Sequence, residues 1–161
     1  MIYYEKQTTP AYYGRTSIER LNTCAHDIRR ICHALAQDGW DITIVCGERD
    51  EQAQTDAYNC GKSKAKWGES KHNVVDGVRD FSDAVDIAPY IKGFGIPWDN
   101  EPAFIILAGA FMATSQKLGI KVRWGGLFTG LKDLGHFELM TDGDGLVSEP
   151  SDIVEFTVVD E

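Results

Sequence analysis

The sequence predicts an α+β fold, a small and mostly antiparallel sheet packed with helices. Three observations point there. A segment near the N-terminus repeats apolar residues with helical period, and a second apolar run, Ala103 to Ala113, is long enough for a buried helix. Short segments with strand alternation are scattered between and after them. The two kinds of element intermix without a regular strand-helix-strand rhythm, which argues against a parallel α/β sheet. With 161 residues the chain fits a single domain, 1–161, large enough to bury a core.

The first periodic segment runs from Thr16 to Asp38, where Ile18, Leu21, Ala25, Ile28, Cys32 and Leu35 recur in steps of three and four. That is one face of an amphipathic helix, with Thr16 or Ser17 as its cap and Gly39 as its stop. His26 and His33 on this helix are two turns apart, about 10.5 Å of rise, which is too far to share a metal. Asp41 to Cys46 alternates, with Ile42, Ile44 and Cys46 on one face, and reads as a strand ended by Gly47. Glu51 to Cys60 reads as a short helix capped by Asp50. Gly61 to Asp83 is polar, rich in lysine and glycine, and long for a loop; such loops in compact domains are often functional. Ala84 to Ala88 is a short strand stopped by Pro89. Asn100-Glu101-Pro102 starts a helix that Gly119 ends. It is apolar nearly all round and so is expected to be the central buried helix. Ile120 to Trp124 is a strand, Gly125-Gly126 a turn, and His136 to Met140 a further strand. Ile153 to Val158 alternates like an edge strand, and Thr141-Asp-Gly-Asp-Gly145 reads as a polar turn lacking the spaced ligands of a calcium loop.

Composition narrows the functions available. The formal net charge of −9 argues against nucleic acid as a partner, because phosphate binding needs an excess of lysine and arginine. The main basic cluster, Lys62, Lys64, Lys66 and Lys71, reads either as a solvated loop or as an attractor of a carboxylate-bearing substrate. No apolar stretch is long enough to span a bilayer, so no stable membrane association is expected. The first residues lack a charged and then apolar leader pattern, which predicts synthesis in the cytoplasm and export only with outside help. Cys24, Cys32 and Cys46 fall at apolar positions and read as buried small hydrophobes, and no CxxC spacing occurs.

Two histidines remain outside the first helix, His72 in the polar loop and His136 at the start of a strand. A catalytic zinc site takes three protein ligands and leaves a fourth position for water. Of the four aspartates that follow His72, the first three, Asp76, Asp80 and Asp83, lie in irregular chain where aspartate is common. Asp86 instead interrupts an apolar strand between Ala84 and Ala88. A carboxylate there requires compensation, either by a bound cation or by a buried salt bridge to Arg49 or Arg123. Asp133, three residues before His136, is placed to be a general base or simply a turn residue. Arg49, just past a strand, can steady a developing oxyanion or form a surface ion pair.

These segments resemble the zinc peptidases of the VanY/D-alanyl-D-alanine carboxypeptidase family, and more closely the phage endolysins that are L-alanyl-D-glutamate peptidases. The resemblance rests on Ile44-Val-Cys-Gly-Glu-Arg49 with Gln54 and Tyr58, Gly61-Lys-Ser-Lys64, Ser70-Lys-His-Asn73, Ala84-Val-Asp-Ile-Ala-Pro-Tyr90, Arg123-Trp-Gly-Gly126, and Asp133 to Leu139. It implies a VanY/hedgehog-like peptidase fold with Zn2+ in a cleft, ligands at His72, Asp86 and His136, a general base at Asp133, and a transition-state role for Arg49. Gln54 and Ser70 match positions that support the site. Three departures stand out. The gap from His72 to Asp86 is longer than in most members; the extra segment Val74 to Phe81 reads as an insertion and leaves Asp80 and Asp83 open as alternative ligands. Leu127 stands where aspartate often follows Trp-Gly-Gly. Gly135 stands where proline is frequent, which is expected to loosen the turn before His136.

The function so implied is hydrolysis of peptidoglycan stem peptides by a monomeric endolysin, held in the host cytoplasm without a signal peptide and acting on the wall after release. A D-alanyl-D-alanine carboxypeptidase is the alternative within the same chemistry. A non-catalytic, metal-stabilised wall-binding module is the alternative from another class. A glycosidase using Asp133 and Glu138 would leave the histidines unexplained.

Overall fold

A computed structural model describes residues 3–140. The elements run α1 (Arg15–Leu21), α2 (His26–Gln37), β1 (Ile42–Cys46), α3 (Glu51–Asn59), β2 (Ala84–Pro89), α4 (Glu101–Lys117), β3 (Val122–Trp124) and β4 (His136–Leu139), with a 3-10 turn over Gly125–Leu127 between the last two strands. Among the described residues the strands form one antiparallel sheet in the order β1-β2-β4-β3. The fold is α+β, as the intermixed periodicities predict. The polar turn expected at Thr141–Gly145 and the edge strand expected at Ile153–Val158 lie outside the described residues.

The sheet separates two environments because side chains alternate along each strand. Val85 and Ile87 of β2 and Phe137 of β4 face the helices and join the core with Ile28, Ile31, Leu35, Leu107 and Phe111. Phe137 stacks on Phe111 of α4, with ring centroids 4.1 Å apart. The alternate residues, Asp86 of β2 and His136 and Glu138 of β4, point to the other face. Asp86 and His136 are register partners.

Three local expectations are corrected. The single helix expected over Thr16–Asp38 is two, because the chain leaves helical geometry at Asn22–Ala25. There the amide of Ala25 donates to Ser82 O (2.8 Å) and that of Ser82 to Thr23 O (2.9 Å). The core residue at the break is Cys24, fully buried, and not Ala25, which is only half-buried. The helix start is Gly14, with no side-chain cap; Ser17 is instead buried and its Oγ accepts from the Ile44 amide at 3.1 Å, tying α1 to β1. The third correction concerns α4. It buries Ala103, Phe104, Leu107, Ala108 and Phe111 against the sheet and α2, but Ile105 and Ile106 on its other side are 47% and 44% exposed, so it is a one-sided cover and not a central helix. The starts of α3 and α4 are as expected: Asp50 accepts from the Ala53 amide at 2.8 Å and Asn100 from the Ala103 amide at 3.2 Å.

Candidate functional site

The site is built from a strand pair and a loop. Asp86 and His136 arrive together because β2 and β4 pair in register. His72 arrives from the irregular 61–83 segment, almost fully buried at 1% exposure. His72 Nε2 lies 3.1 Å from Asp86 Oδ1 and 3.2 Å from His136 Nδ1, and His136 Nδ1 lies 2.9 Å from Asp86 Oδ1. Asp80 is exposed, and Asp83 pairs with Arg79 at 3.7 Å, so neither of these alternatives joins the triangle.

The outer nitrogens of both rings are engaged elsewhere. His72 Nδ1 lies 2.6 Å from Gly47 O, to which it can only donate. His136 Nε2 lies 2.9 Å from the Glu138 carboxylate and donates there. In the neutral rings, these contacts leave the bare lone pairs of His72 Nε2 and His136 Nδ1 facing each other and Asp86 Oδ1. Three lone pairs at such spacing repel unless a cation or protons lie between them. Four-coordinate zinc, with bonds of about 2.0–2.1 Å, sets its ligands about 3.3 Å apart, close to the spacing found. The donor set therefore fits a zinc ion, with Gly47 O and Glu138 as the partners that orient the rings.

Without a metal, protons take that role. Burial of the His72 ring works to lower its pKa, but hydrogen bonds and charge from Asp86 and Cys46 overcome this and raise it to about 10. His136 is raised in the same way, against its burial, by Asp86 and Glu138. For Asp86, burial works upward and is outweighed by its bonds to the two histidines, which hold the carboxyl well below the usual range.

Asp133 stands at the edge of this centre, with a carboxylate oxygen within 4.8 Å of ligand atoms of Asp86 and His136. Its pKa is raised, first by loss of hydration and then by the Asp86 charge. The turn that carries it is closely packed. A Cβ added at Gly125 would stand 2.5 Å from Asp133 O and 2.9 Å from His136 Cβ, so only glycine fits there. Gly135 does the opposite of loosening the turn: its amide, which proline would lack, donates to Asp133 Oδ1 at 3.2 Å.

Arg49 reaches Asp86 Oδ2 through Nη2 at 3.3 Å and Gln54 Oε1 through Nη1 at 3.2 Å, while lining the cleft. The salt bridge entertained for Asp86 thus exists alongside the histidine contacts. Arg123 pairs instead with Glu138 at 2.8 Å. Gln54 is fully buried. It also accepts from Asn73 Nδ2 (3.2 Å) and donates to Ser63 Oγ (3.1 Å) and Ala65 O (2.6 Å). Ser70 Oγ accepts from the His72 amide at 3.2 Å.

Two residues near the centre are given no part in it by the sequence reading. Asn73, fully buried, accepts from the amides of Gly68 (3.0 Å) and Ser70 (3.3 Å) and donates to Arg49 O (3.0 Å). The signal available in the sequence was its place directly after a candidate ligand. Cys46 was expected in the core with Ile42 and Ile44. A register shift between Ile44 and Cys46 adds one residue and sets Cys46 opposite Asp86, half-buried, with its sulfur within 4.8 Å of ligand atoms of His72 and Asp86. No period-two pattern reveals a bulge.

The cleft over this centre encloses about 580 Å3. Its lining includes Arg49, Lys62, Lys64, Lys71 and Arg123 against Glu69, Asp133 and Glu138, a cationic excess inside a chain of net charge −9.

Fold and site together define a class: an α+β domain with a His-Asp-His centre and an adjoining carboxylate in an open cleft. The chain belongs to the phage L-alanyl-D-glutamate peptidase family, whose model matches residues 11–140. It is 31% identical over 140 residues to the L-alanyl-D-glutamate peptidase of Escherichia phage T5, covering 80% of this chain and 97% of that one. It also resembles the crystal structure of the Serratia marcescens L-Ala D-Glu endopeptidase ChiX, with a TM-score of 0.65 and 25% identity over 80% of this chain and 90% of the other.

Proposed function

We propose that this chain is a zinc-dependent endolysin that hydrolyses the L-alanyl-D-glutamate bond in the stem peptide of bacterial peptidoglycan. The observation that carries the reading is the convergence of three lone pairs on one point, His72 Nε2, Asp86 Oδ1 and His136 Nδ1, at mutual distances of 2.9 to 3.2 Å. Family membership supplies the substrate class.

Zinc held by these residues would supply a Lewis acid that polarises a carbonyl oxygen and acidifies water. Asp133 takes the proton that the attacking water gives up and passes it to the leaving amine. Its raised pKa makes it a better proton acceptor than an ordinary aspartate. Arg49 holds the outer oxygen of Asp86 and lines the cleft, where its charge steadies the carbonyl oxygen as that atom gains charge. Gln54 and Ser70 keep Arg49 and the His72 backbone in place. Lys62, Lys64 and Lys71 suit the carboxylates of the stem peptide.

Asp133 lines two cavities, and the added room beside the site favours cleavage within a peptide over trimming of its end. No helix among the described residues is long and apolar enough to cross a membrane. We infer a monomer that is made in the host cytoplasm and meets its substrate after release to the wall.

Metal analysis combined with mass spectrometry of digested muropeptides tests the reading. One zinc per chain and release of a peptide beginning with D-glutamate are expected. Loss of a single terminal alanine would replace the endopeptidase with the carboxypeptidase. Full activity in the presence of a strong chelator would remove the zinc mechanism.

A further inference from the structure

Asp133 lines two cavities of different character. One is the cationic cleft. The other is an open cavity of about 420 Å3 lined by Trp98, Asp99, Glu101 and Phe104 together with the 133–135 turn. None of the residues lining this second cavity is a lysine or arginine.

Trp98 is 62% exposed, a large apolar surface left facing water. It is nevertheless held in place. Its ring stacks on Phe104 with centroids 6.0 Å apart and planes 29° apart, and Phe104 is itself buried in the first turn of α4. Its amide donates to Ile96 O at 3.0 Å. A fixed indole face beside two carboxylates suits a neutral saccharide ring. The ring's C–H face packs on the aromatic surface, and its hydroxyls donate to acceptors that have no cation of their own in the lining.

We propose that the Trp98–Phe104 shelf binds the muramyl sugar that carries the stem peptide. This rests on the peptidase reading above. In peptidoglycan the L-alanine is joined through its amino group to the lactyl ether of muramic acid. The sugar therefore begins one residue from an L-alanyl-D-glutamate bond, and one extended residue spans about 3.5 Å. A bond held at Asp133 places the sugar in one of the two adjoining cavities. The carboxylate of D-glutamate belongs with Lys62, Lys64 and Lys71, which leaves the aromatic side for the sugar. The polarity of the two cavities thus sets the direction in which the substrate lies.

The test uses two synthetic substrates with the same L-alanyl-D-glutamyl peptide, one N-acetylated and one carrying N-acetylmuramic acid. Wild-type protein is expected to prefer the muramyl peptide. In Trp98→Ala the ratio of kcat/KM for muramyl over N-acetyl peptide should fall about tenfold, chiefly through KM, whereas Trp98→Phe should retain most of the ratio. An unchanged ratio in Trp98→Ala, or an equal loss on both substrates, would overturn the shelf while leaving the peptidase reading intact. If wild-type protein cuts neither substrate, the peptidase reading fails and the shelf fails with it.

Discussion

The two halves of the candidate centre are held by different means. Asp86, His136 and Glu138 are placed by the backbone ladder: β2 pairs with β4, and the register puts all three on one face. His72 and Arg49 are placed by side chains. Their segments are irregular, and what fixes them is a buried polar network in which Gln54 and Asn73 each bond two or more partners, with the Arg49 amide donating to His72 O at 2.9 Å. A ladder fixes a residue cheaply, because every strand neighbour shares in it. A loop needs buried polar hubs, each of which is costly if left partly unsatisfied. Damage to the first half should therefore appear as lost chemistry, and damage to the second as lost stability together with lost chemistry.

The largest effect is expected from His136→Ala. It removes a proposed ligand from the rigid half, so bound zinc should fall to near zero and lysis of permeabilised cells should drop roughly a thousandfold or more. The circular dichroism spectrum should remain that of a folded chain. Full lytic activity in this variant would remove His136 from the centre. Asp133→Asn follows. It should keep its zinc while kcat falls by about 10²–10⁴, and loss of zinc instead would make Asp133 a ligand and not a base. Glu138→Gln keeps a hydrogen-bond acceptor but loses the charge that orients His136, so zinc affinity measured by competition with a chromophoric chelator should weaken about 10–100-fold.

Asn73→Ala probes the loop half. It strips partners from the amides of Gly68 and Ser70 and from Arg49 O. A destabilisation of about 1–3 kcal/mol in urea unfolding is expected, with weakened zinc binding besides. A variant as stable as wild type would show that the loop is held by other means.

The smallest effect is a proton count. The His72 pKa is raised from 6.5 to about 10 in the metal-free chain. The stability that it contributes there is complete below pH 6.5 and lost as pH rises through about 10. Zinc needs the neutral ring. At pH 7 zinc uptake should therefore release at least one proton, and apparent affinity should climb with pH over that window. Calorimetry in two buffers of different ionisation enthalpy reads this directly, and equal heats in both would contradict it.

Much of this was legible in the residues. Asp86 drew attention because a carboxylate interrupts an apolar strand, and the described strands and the caps of α3 and α4 follow from local pattern. What escaped depended on contacts between distant segments. The break at Asn22–Ala25 is hidden because the apolar period continues almost in phase across it, and it is made by bonds to Ser82. Its purpose is visible only in three dimensions. A Cβ at Gly47 would stand 2.2 Å from Arg20 O and 2.3 Å from Thr23 Oγ1, so the break is the surface against which Gly47 is pressed while its carbonyl holds His72. Cys46 escaped because a bulge moved it by one residue.

The neck of the long loop has a consequence for how such chains can vary. The amide of Asp83 donates to Lys71 O at 2.9 Å, and Arg79 donates to Ser70 O at 3.0 Å, so the two residues just before His72 are clasped to the chain that leads into β2. Residues 74–81 form an excursion hung from that clasp. Lengthening a closed loop adds little entropic cost, about 0.6 kcal/mol for each doubling. Spacing between His72 and Asp86 along the sequence is thereby uncoupled from their spacing in the centre. Its exposed tip, residues 76–78, is where an inserted tag, reporter or binding peptide should be accommodated with the centre undisturbed.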